Sequence, residues 1–238
     1  MKILEKVASR YLKKHGYTIE SHAIERSSAG YRLLSYNSYD EYKAIQIEGN
    51  KAKLSNVWAD ETTIHLICDY LVKDGNVIRR GLCHGSRNGT ELGWFRKYLS
   101  AEIVGTDISD TAPQFGLTQW DFHDSKHEWI GQFDFVYTNS HDHAYDPKKA
   151  FDTWIEQLVP GGALFIEHTT SHAERAVTAL DPLGIDPEIL PFTILQFSGG
   201  RYCVTEVLKP QHRKHDSDIW VFVIEPHRKP RQPAFERP

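Results

Sequence analysis

From Asn76 to Thr169 short β-rich runs alternate with stretches of helical periodicity, and this alternation constrains the fold more than any other feature of the chain. NVIRRGLC (76–83) reads as a strand ending in a glycine-rich turn, and TELGWFRKYL (90–99) as a helix. AEIVGTDI (101–108), LTQWDF (117–122) and FDFVYTNS (133–140) read as further strands. Pro147 stands in the first turn of the next helix, where its missing N–H costs nothing, and that helix runs to the turn VPGG (159–162). ALFIEHT (163–169) is apolar almost throughout, as befits a strand covered on both faces. Strands joined by helices of about ten residues form parallel βαβ units.

The flanks differ. Ile3, Leu4, Val7, Ala8, Tyr11 and Leu12 fall at helical spacing, so residues 1–15 are predicted to be a helix stopped by Gly16. Residues 17–36 are irregular or briefly extended. The pattern is helical again from Tyr39 to Val72, with a break expected at Gly49-Asn50. RYCVTEVLKP (201–210) and DIWVFVIEP (218–226) predict an antiparallel pair that completes the sheet. Residues 227–238, rich in proline and basic side chains, are expected to be a poorly ordered tail. The expected organisation is a helical extension or cap over 1–74, an α/β domain over 75–226 and the tail.

A net charge of −4 recruits neither nucleic acid nor an anionic membrane surface. Three cysteines, Cys68, Cys83 and Cys203, form no disulfide framework and no C-x-x-C pair, which fits a reducing compartment. With no run of roughly 20 apolar residues, a soluble cytoplasmic protein is expected.

Two features point to a nucleoside-containing ligand. In CHGSRNGTE (83–91), Gly85 and Gly89 let the backbone turn sharply next to a helix N-terminus, whose free N–H groups suit a polar or anionic group. Asp107 ends the second strand of the alternating region, where an acid accepts hydrogen bonds from both hydroxyls of a ribose. Both lie outside the carboxyl ends of strands, the usual binding edge of open α/β sheets.

With WDFHD (120–124), FDFVYTNSHDH (133–143) and LVPGGALFIEH (158–168) added, the region 75–170 resembles the class I S-adenosylmethionine-dependent methyltransferases. The resemblance implies a Rossmann-like sheet, mostly parallel with an antiparallel C-terminal strand pair, and S-adenosylmethionine as cofactor. It sets His84, Gly85, Ser86, Arg87 and Gly89 against the methionine part and ribose, and Asp107 on the ribose hydroxyls. Ile108 packs on the adenine, Asp121 and Phe122 address its edge and face, and Asn139 and Ser140 line the floor beside the sulfonium. The glycine loop departs from the family pattern. Where the family places an acid and then glycines two apart, this chain has Gly81, Cys83, Gly85 and Arg87.

Methyl transfer needs mainly alignment, but an unactivated hydroxyl also needs a base. His141 and His143, oriented by Asp142, follow the fourth strand where an acceptor would meet the methyl group. On an extended segment these two histidines would face the same way. No metal ligands are assigned, although His141, Asp142 and His143, completed by Glu167 and His168, leave a divalent-metal reading open. Residues 170–200 are read as an acceptor-side lid, with His172, Glu174 and Arg175 as contacts. The expected partner is a small-molecule or glycan acceptor, with a sugar hydroxyl first; the oligomeric state, a homodimer included, stays open.

Two other readings use the same sheet. A nicotinamide-dependent oxidoreductase would use Tyr145 and Lys149, but G-x-G-x-x-G is absent and Pro147 lies between them. A non-catalytic protein binding S-adenosylmethionine or its demethylated product has less need of the polar residues at 139–143.

Overall fold

The computed structural model describes residues 24–26, 30–214 and 216–227. The helix expected over 1–15 lies outside the described residues, as does all of the expected tail except His227. In chain order, strands β1 (Ile24–Arg26) and β2 (Tyr31–Leu34) precede helices α1 (Tyr39–Ala52) and α2 (Glu61–Val72). The alternating region follows as β3 (Arg80–His84), α3 (Thr90–Tyr98), β4 (Glu102–Asp107), β5 (Thr118–Gln119), β6 (Phe133–Thr138), α4 (Pro147–Glu156) and β7 (Leu158–Thr169). Then come β8 (Leu183–Ile185), α5 (Leu190–Ser198), β9 (Tyr202–Leu208) and β10 (Ile219–Pro226).

The main sheet has seven strands in the order β5-β4-β3-β6-β7-β10-β9. β3 to β7 pair in parallel, whereas β10 runs antiparallel to both β7 and β9. The chain leaves β3 towards β4 and β5, then returns to build β6 and β7 on the other side. The order therefore reverses between β3 and β6, and a crevice opens beyond their carboxyl ends. β1, β2 and β8 form a separate antiparallel sheet. Among the described residues no helix is long and apolar enough to cross a membrane.

Two cores fill the faces of the main sheet. On one, Phe122, Phe151, Trp154 and Ile166 pack with Leu183, Ile194 and Phe222. On the other, Ile64 and Ile67 of α2 meet Leu92 and Phe95 of α3 over Phe135, Tyr137 and Phe165. Local signals start the helices. Ser38, Asp60 and Asp146 each accept a backbone N–H in the first turn, and Pro147 follows Asp146 at the head of α4.

Four expectations about local structure are corrected. α1 runs unbroken through Gly49-Asn50 to Ala52. Gly49 is there for close packing, since a Cβ would come 2.3 Å from Leu180 Cδ1. β5 is only two residues long, because Asp121 turns the chain by accepting the His123 N–H at 2.9 Å. VPGG is absorbed into β7 as an irregularity: Leu158 pairs with Phe133 and Ala163 with Phe135, so the residues between are looped out of the ladder. Finally, the segment 170–200 is not a lid alone but is anchored in the core by part of its length. Leu183, Ile185, Leu190 and Ile194 are all buried, with α5 packed on α4 and β9.

Candidate active site

The turn after β3 depends on unusual backbone geometry. Gly85 has φ +70°, and a Cβ there would lie 2.6 Å from Ser140 Cβ, so glycine is needed for conformation and for space. Ser86 N–H donates to Thr106 O at 2.8 Å and ties the turn to β4. Arg87 is also left-handed, at φ +47°, and its N–H donates to Asp107 Oδ2 at 2.9 Å. Gly89 precedes α3 at φ +70° without a side-chain cap. Asp107 is buried, and its other oxygen accepts the Ser109 N–H at 2.9 Å. Backbone amides from two loops thus aim one carboxylate at the crevice.

Ile108, Asp121 and Phe122 line a cleft beside Asp107, Gly85 and Ser140, and its volume is only about 40 Å³. Tyr42, Gln46 and Asn50 of α1 form part of the opposite wall with Leu180. Ligand sites usually measure roughly 300–1,000 Å³, so the cleft as it stands is narrow for a nucleoside. Asp121 is already engaged by the Tyr39 hydroxyl at 2.8 Å and by His123 Nδ1 at 2.7 Å. A second cavity of about 520 Å³ shares Gly85, Arg87, Ser140 and His143 with the cleft. It continues past Ser86, Glu91 and Asn139 to Asp142, His172 and Asp181.

Expected site residues therefore separate. Gly85, Arg87, Asp107, Ile108, Asp121, Phe122 and Ser140 gather round the cleft, while Ser86 and Asn139 line the larger cavity. His84 faces neither: its ring is buried between Thr106 Oγ1 at 2.8 Å and Gln157 Oε1 at 2.9 Å. Burial lowers its pKa to about 4, so it is a neutral brace under the sheet. Glu174 and Arg175 lie around a different cavity, where Glu174 pairs with Arg32 at 2.7 Å.

Glu91 was not anticipated. It sits in the first turn of α3, is buried, and lines the larger cavity; burial pushes its carboxyl up to about 7. A carboxyl whose folded pKa exceeds its unfolded value stabilises most at low pH and loses that advantage as pH rises through the folded pKa. Between the ordinary value of 4.5 and about 7, the loss is on the order of 3 kcal/mol. Glu91→Gln is therefore expected to gain on the parent protein by that amount between pH 4.5 and pH 8 in denaturant unfolding without ligand. Parallel stability curves across that range would exclude a strongly perturbed Glu91.

The segment 141–143 is a 3₁₀ turn, not an extended strand, so its two histidines do not share a direction. His141 is buried against His168 (Nε2 to Nδ1, 2.9 Å) and packs edge-on to His172, away from the cavity. Burial lowers its pKa well below the usual histidine range. His143 instead reaches the cavity. Its Nδ1 meets Gln46 Oε1 at 2.6 Å, and its Nε2 stands 3.5 Å from Asp181 and 3.9 Å from Asp142. Burial raises the Asp142 carboxyl well above its ordinary pKa, and neighbouring Asp181 adds to the effect. Glu167 is drawn away from this cluster by Tyr137 and Lys214. Tyr145 precedes the cap of α4 and packs on Tyr42 and His123, while Lys149 bonds Asp124 at 2.7 Å. Tyr145 and Lys149 thus each have other partners in the structure.

No protein-family model matches the sequence, and no curated protein matches it. Solved structures do match. The 1,6-didemethyltoxoflavin N1-methyltransferase of Burkholderia thailandensis, solved with 1,6-didemethyltoxoflavin and S-adenosylhomocysteine, superposes with a TM-score of 0.63 at 14% identity, over 86% of this chain and 99% of that one. An N-methyltransferase of Bradyrhizobium japonicum in complex with S-adenosylhomocysteine gives 0.58 at 15% identity, over 77% and 99%. Magnesium protoporphyrin IX methyltransferase from Synechocystis, with bound S-adenosylmethionine, gives 0.52 at 11%, over 79% and 99%. The fold is that of the class I methyltransferases. Within this class I fold, the chain's glycine loop keeps a left-handed backbone at positions 85, 87 and 89 although the middle residue is arginine. The turn survives the sequence departure because Asp107 and the Arg87 N–H hold it from β4.

Proposed function

We propose that this protein transfers the methyl group of S-adenosylmethionine to a hydroxyl of a small molecule or sugar. The observation that carries this reading is the buried Asp107 carboxylate, held at the end of β4 beside the Gly85 turn in a methyltransferase fold. The cofactor's ribose meets Asp107, and its adenine lies along Ile108 and Phe122, with Asp121 at its edge, once the cleft has widened. Its sulfonium lies near Asn139 and Ser140, opening into the larger cavity. Residues 1–74 contribute α1 as the cap over this pocket. Cys68, Cys83 and Cys203 are free thiols, which supports a cytoplasmic setting.

The methyl carbon passes in line from sulfur to the acceptor, so most of the acceleration comes from alignment in the cavity. A hydroxyl acceptor must also lose its proton, and Asp142 and His143, joined by Asp181, are the groups at hand. An amine acceptor brings its own lone pair and has less use for such a cluster. His141 takes no part, being sealed away from the cavity.

Calorimetry with S-adenosylmethionine and S-adenosylhomocysteine, with NAD as the control, tests the reading. Micromolar binding of the first two and none of NAD is expected, followed by a methyl-transfer screen that begins with sugars. Binding of NAD alone would reverse the assignment to an oxidoreductase.

A further inference from the structure

We propose that Asp142, His143 and Asp181 bind a divalent cation of the manganese–magnesium kind on the acceptor side of the cavity. The proposal deepens the hydroxyl-methylation reading and rests on it for its catalytic meaning.

Each of the three residues offers one ligand atom, and these atoms lie within 4.8 Å of one another. The hydrogen positions follow from the surrounding contacts. Gln46 Nε2 donates to Leu180 O at 2.8 Å, which turns Gln46 Oε1 towards His143 Nδ1 at 2.6 Å. Nδ1 therefore carries the hydrogen of a neutral ring, and Nε2 presents a lone pair. That lone pair faces Asp181 Oδ1 at 3.5 Å and Asp142 Oδ1 at 3.9 Å. These three atoms thus converge with no hydrogen bond between them. Asp142 Oδ1 is buried and has no hydrogen-bond partner, on a residue only 5% exposed. A buried, unpartnered oxygen in that position is costly unless a proton or a cation satisfies it. Lys53 and Arg87 line the same cavity, yet neither forms an ion pair with these carboxylates.

His172 stands behind the cluster. His172 Nδ1 accepts the Thr169 N–H at 3.0 Å, so its Nε2 carries hydrogen and faces the other Asp142 oxygen at 3.8 Å. This leaves Oδ1 free to ligate, with His172 beyond hydrogen-bond distance behind Oδ2. The same tautomer argues against the neighbouring trio His141, His168 and His172 as the metal site. Its His172 nitrogen points a hydrogen inward, and the His141–His168 contact already consumes one nitrogen from each ring.

Two carboxylates and one imidazole form a mixed set that manganese can occupy, since carboxylates accept magnesium, calcium and manganese while imidazole accepts transition metals. Three protein ligands leave positions for an acceptor oxygen. A hydroxyl bound there loses its proton to water at lower pH. The resulting oxygen lone pair forms the bond to the methyl carbon as the carbon–sulfur bond breaks and its electron pair returns to sulfur. In the loaded state His143 acts as a ligand and not as a base.

The test is electron paramagnetic resonance titration of Mn²⁺ into the full chain after chelator treatment, alongside calorimetry with S-adenosylhomocysteine. We expect one Mn²⁺ per chain, weakened at least tenfold in Asp181→Asn and in Asp142→Asn, and unchanged in Glu174→Gln, which lies around a separate cavity. Circular dichroism of Asp181→Asn, at a half-buried position, confirms that the fold is kept. Binding of S-adenosylhomocysteine without stoichiometric Mn²⁺, or Mn²⁺ binding indifferent to Asp181→Asn, overturns the cation site. Mn²⁺ binding without S-adenosylhomocysteine binding supports the cation site and overturns the methyltransferase reading instead.

Discussion

Alanine at position 107 is expected to weaken S-adenosylhomocysteine binding at least a hundredfold in calorimetry. Two ribose hydroxyls donating to one carboxylate form two hydrogen bonds to a charged acceptor, each contributing about 1.5–3 kcal/mol. Losing even the smaller sum of about 3 kcal/mol lowers affinity by more than two orders of magnitude. The substitution also frees the Arg87 and Ser109 N–H groups that Asp107 now accepts, so the turn itself relaxes. Asp107→Asn separates the two effects: it retains one acceptor oxygen and the side-chain shape, and it should recover the fold but only part of the affinity. Binding should also weaken as pH falls. Burial raises the Asp107 carboxyl above its ordinary pKa, and the protonated form loses acceptor capacity. Equal affinity in the parent and in Asp107→Ala would place the nucleoside elsewhere.

Trp154→Ala should produce the largest loss of stability among single substitutions in this core. Trp154 is fully buried, its Nε1–H donates to Phe122 O at 3.1 Å, and its ring packs on Phe122, Phe151 and His84. Truncating such a residue costs about 3–5 kcal/mol in transfer and cavity terms. At roughly 2–4 °C per kcal/mol for a chain of this size, Tm should fall by about 6–20 °C in differential scanning calorimetry. The loss should reach the site as well, because Phe122 lines the cleft and His84 braces the strand end behind it. Trp154→Phe keeps most of the ring but leaves Phe122 O unpaired, so an intermediate shift is expected. A drop of less than 2 °C for the alanine variant would mean that the cavity collapses far more readily than the packing implies.

Much of the sheet could be read directly. The apolar run after Gly162, the alternation from Asn76 and the paired runs near the C-terminus predicted parallel strands closed by an antiparallel pair, and the sheet has that character. Pro147 marked the head of α4 because its constraint is local. Gly49 misled for the same reason. In sequence a glycine-asparagine pair reads as a break, yet here the missing Cβ admits Leu180, which no local pattern reveals. Glu91 left one visible signal, an acid in the first turn after a glycine loop, but such an acid reads as a favourable charge at a helix start. Its burial depends on how α3 docks.

The acceptor side was less legible. Asp181 lies far along the chain from His143, in a segment read as a lid, and Gln46 belongs to a helix read only as part of an extension or cap, with no contact to His143 foreseen. Sequence alone determined the parallel strands and helices of the alternating region in outline, where the ligand turn falls, and that Asp107 ends the strand beside it. Those properties depend on backbone preferences and side-chain period over a few neighbouring residues. Only the tertiary structure decided that His141 turns inward and His143 outward, that Gln46 sets the His143 tautomer, and that Asp181 completes the cluster. Side-chain direction, burial and proton position arise from contacts between residues remote in sequence, and these exist only once the chain has closed around its core.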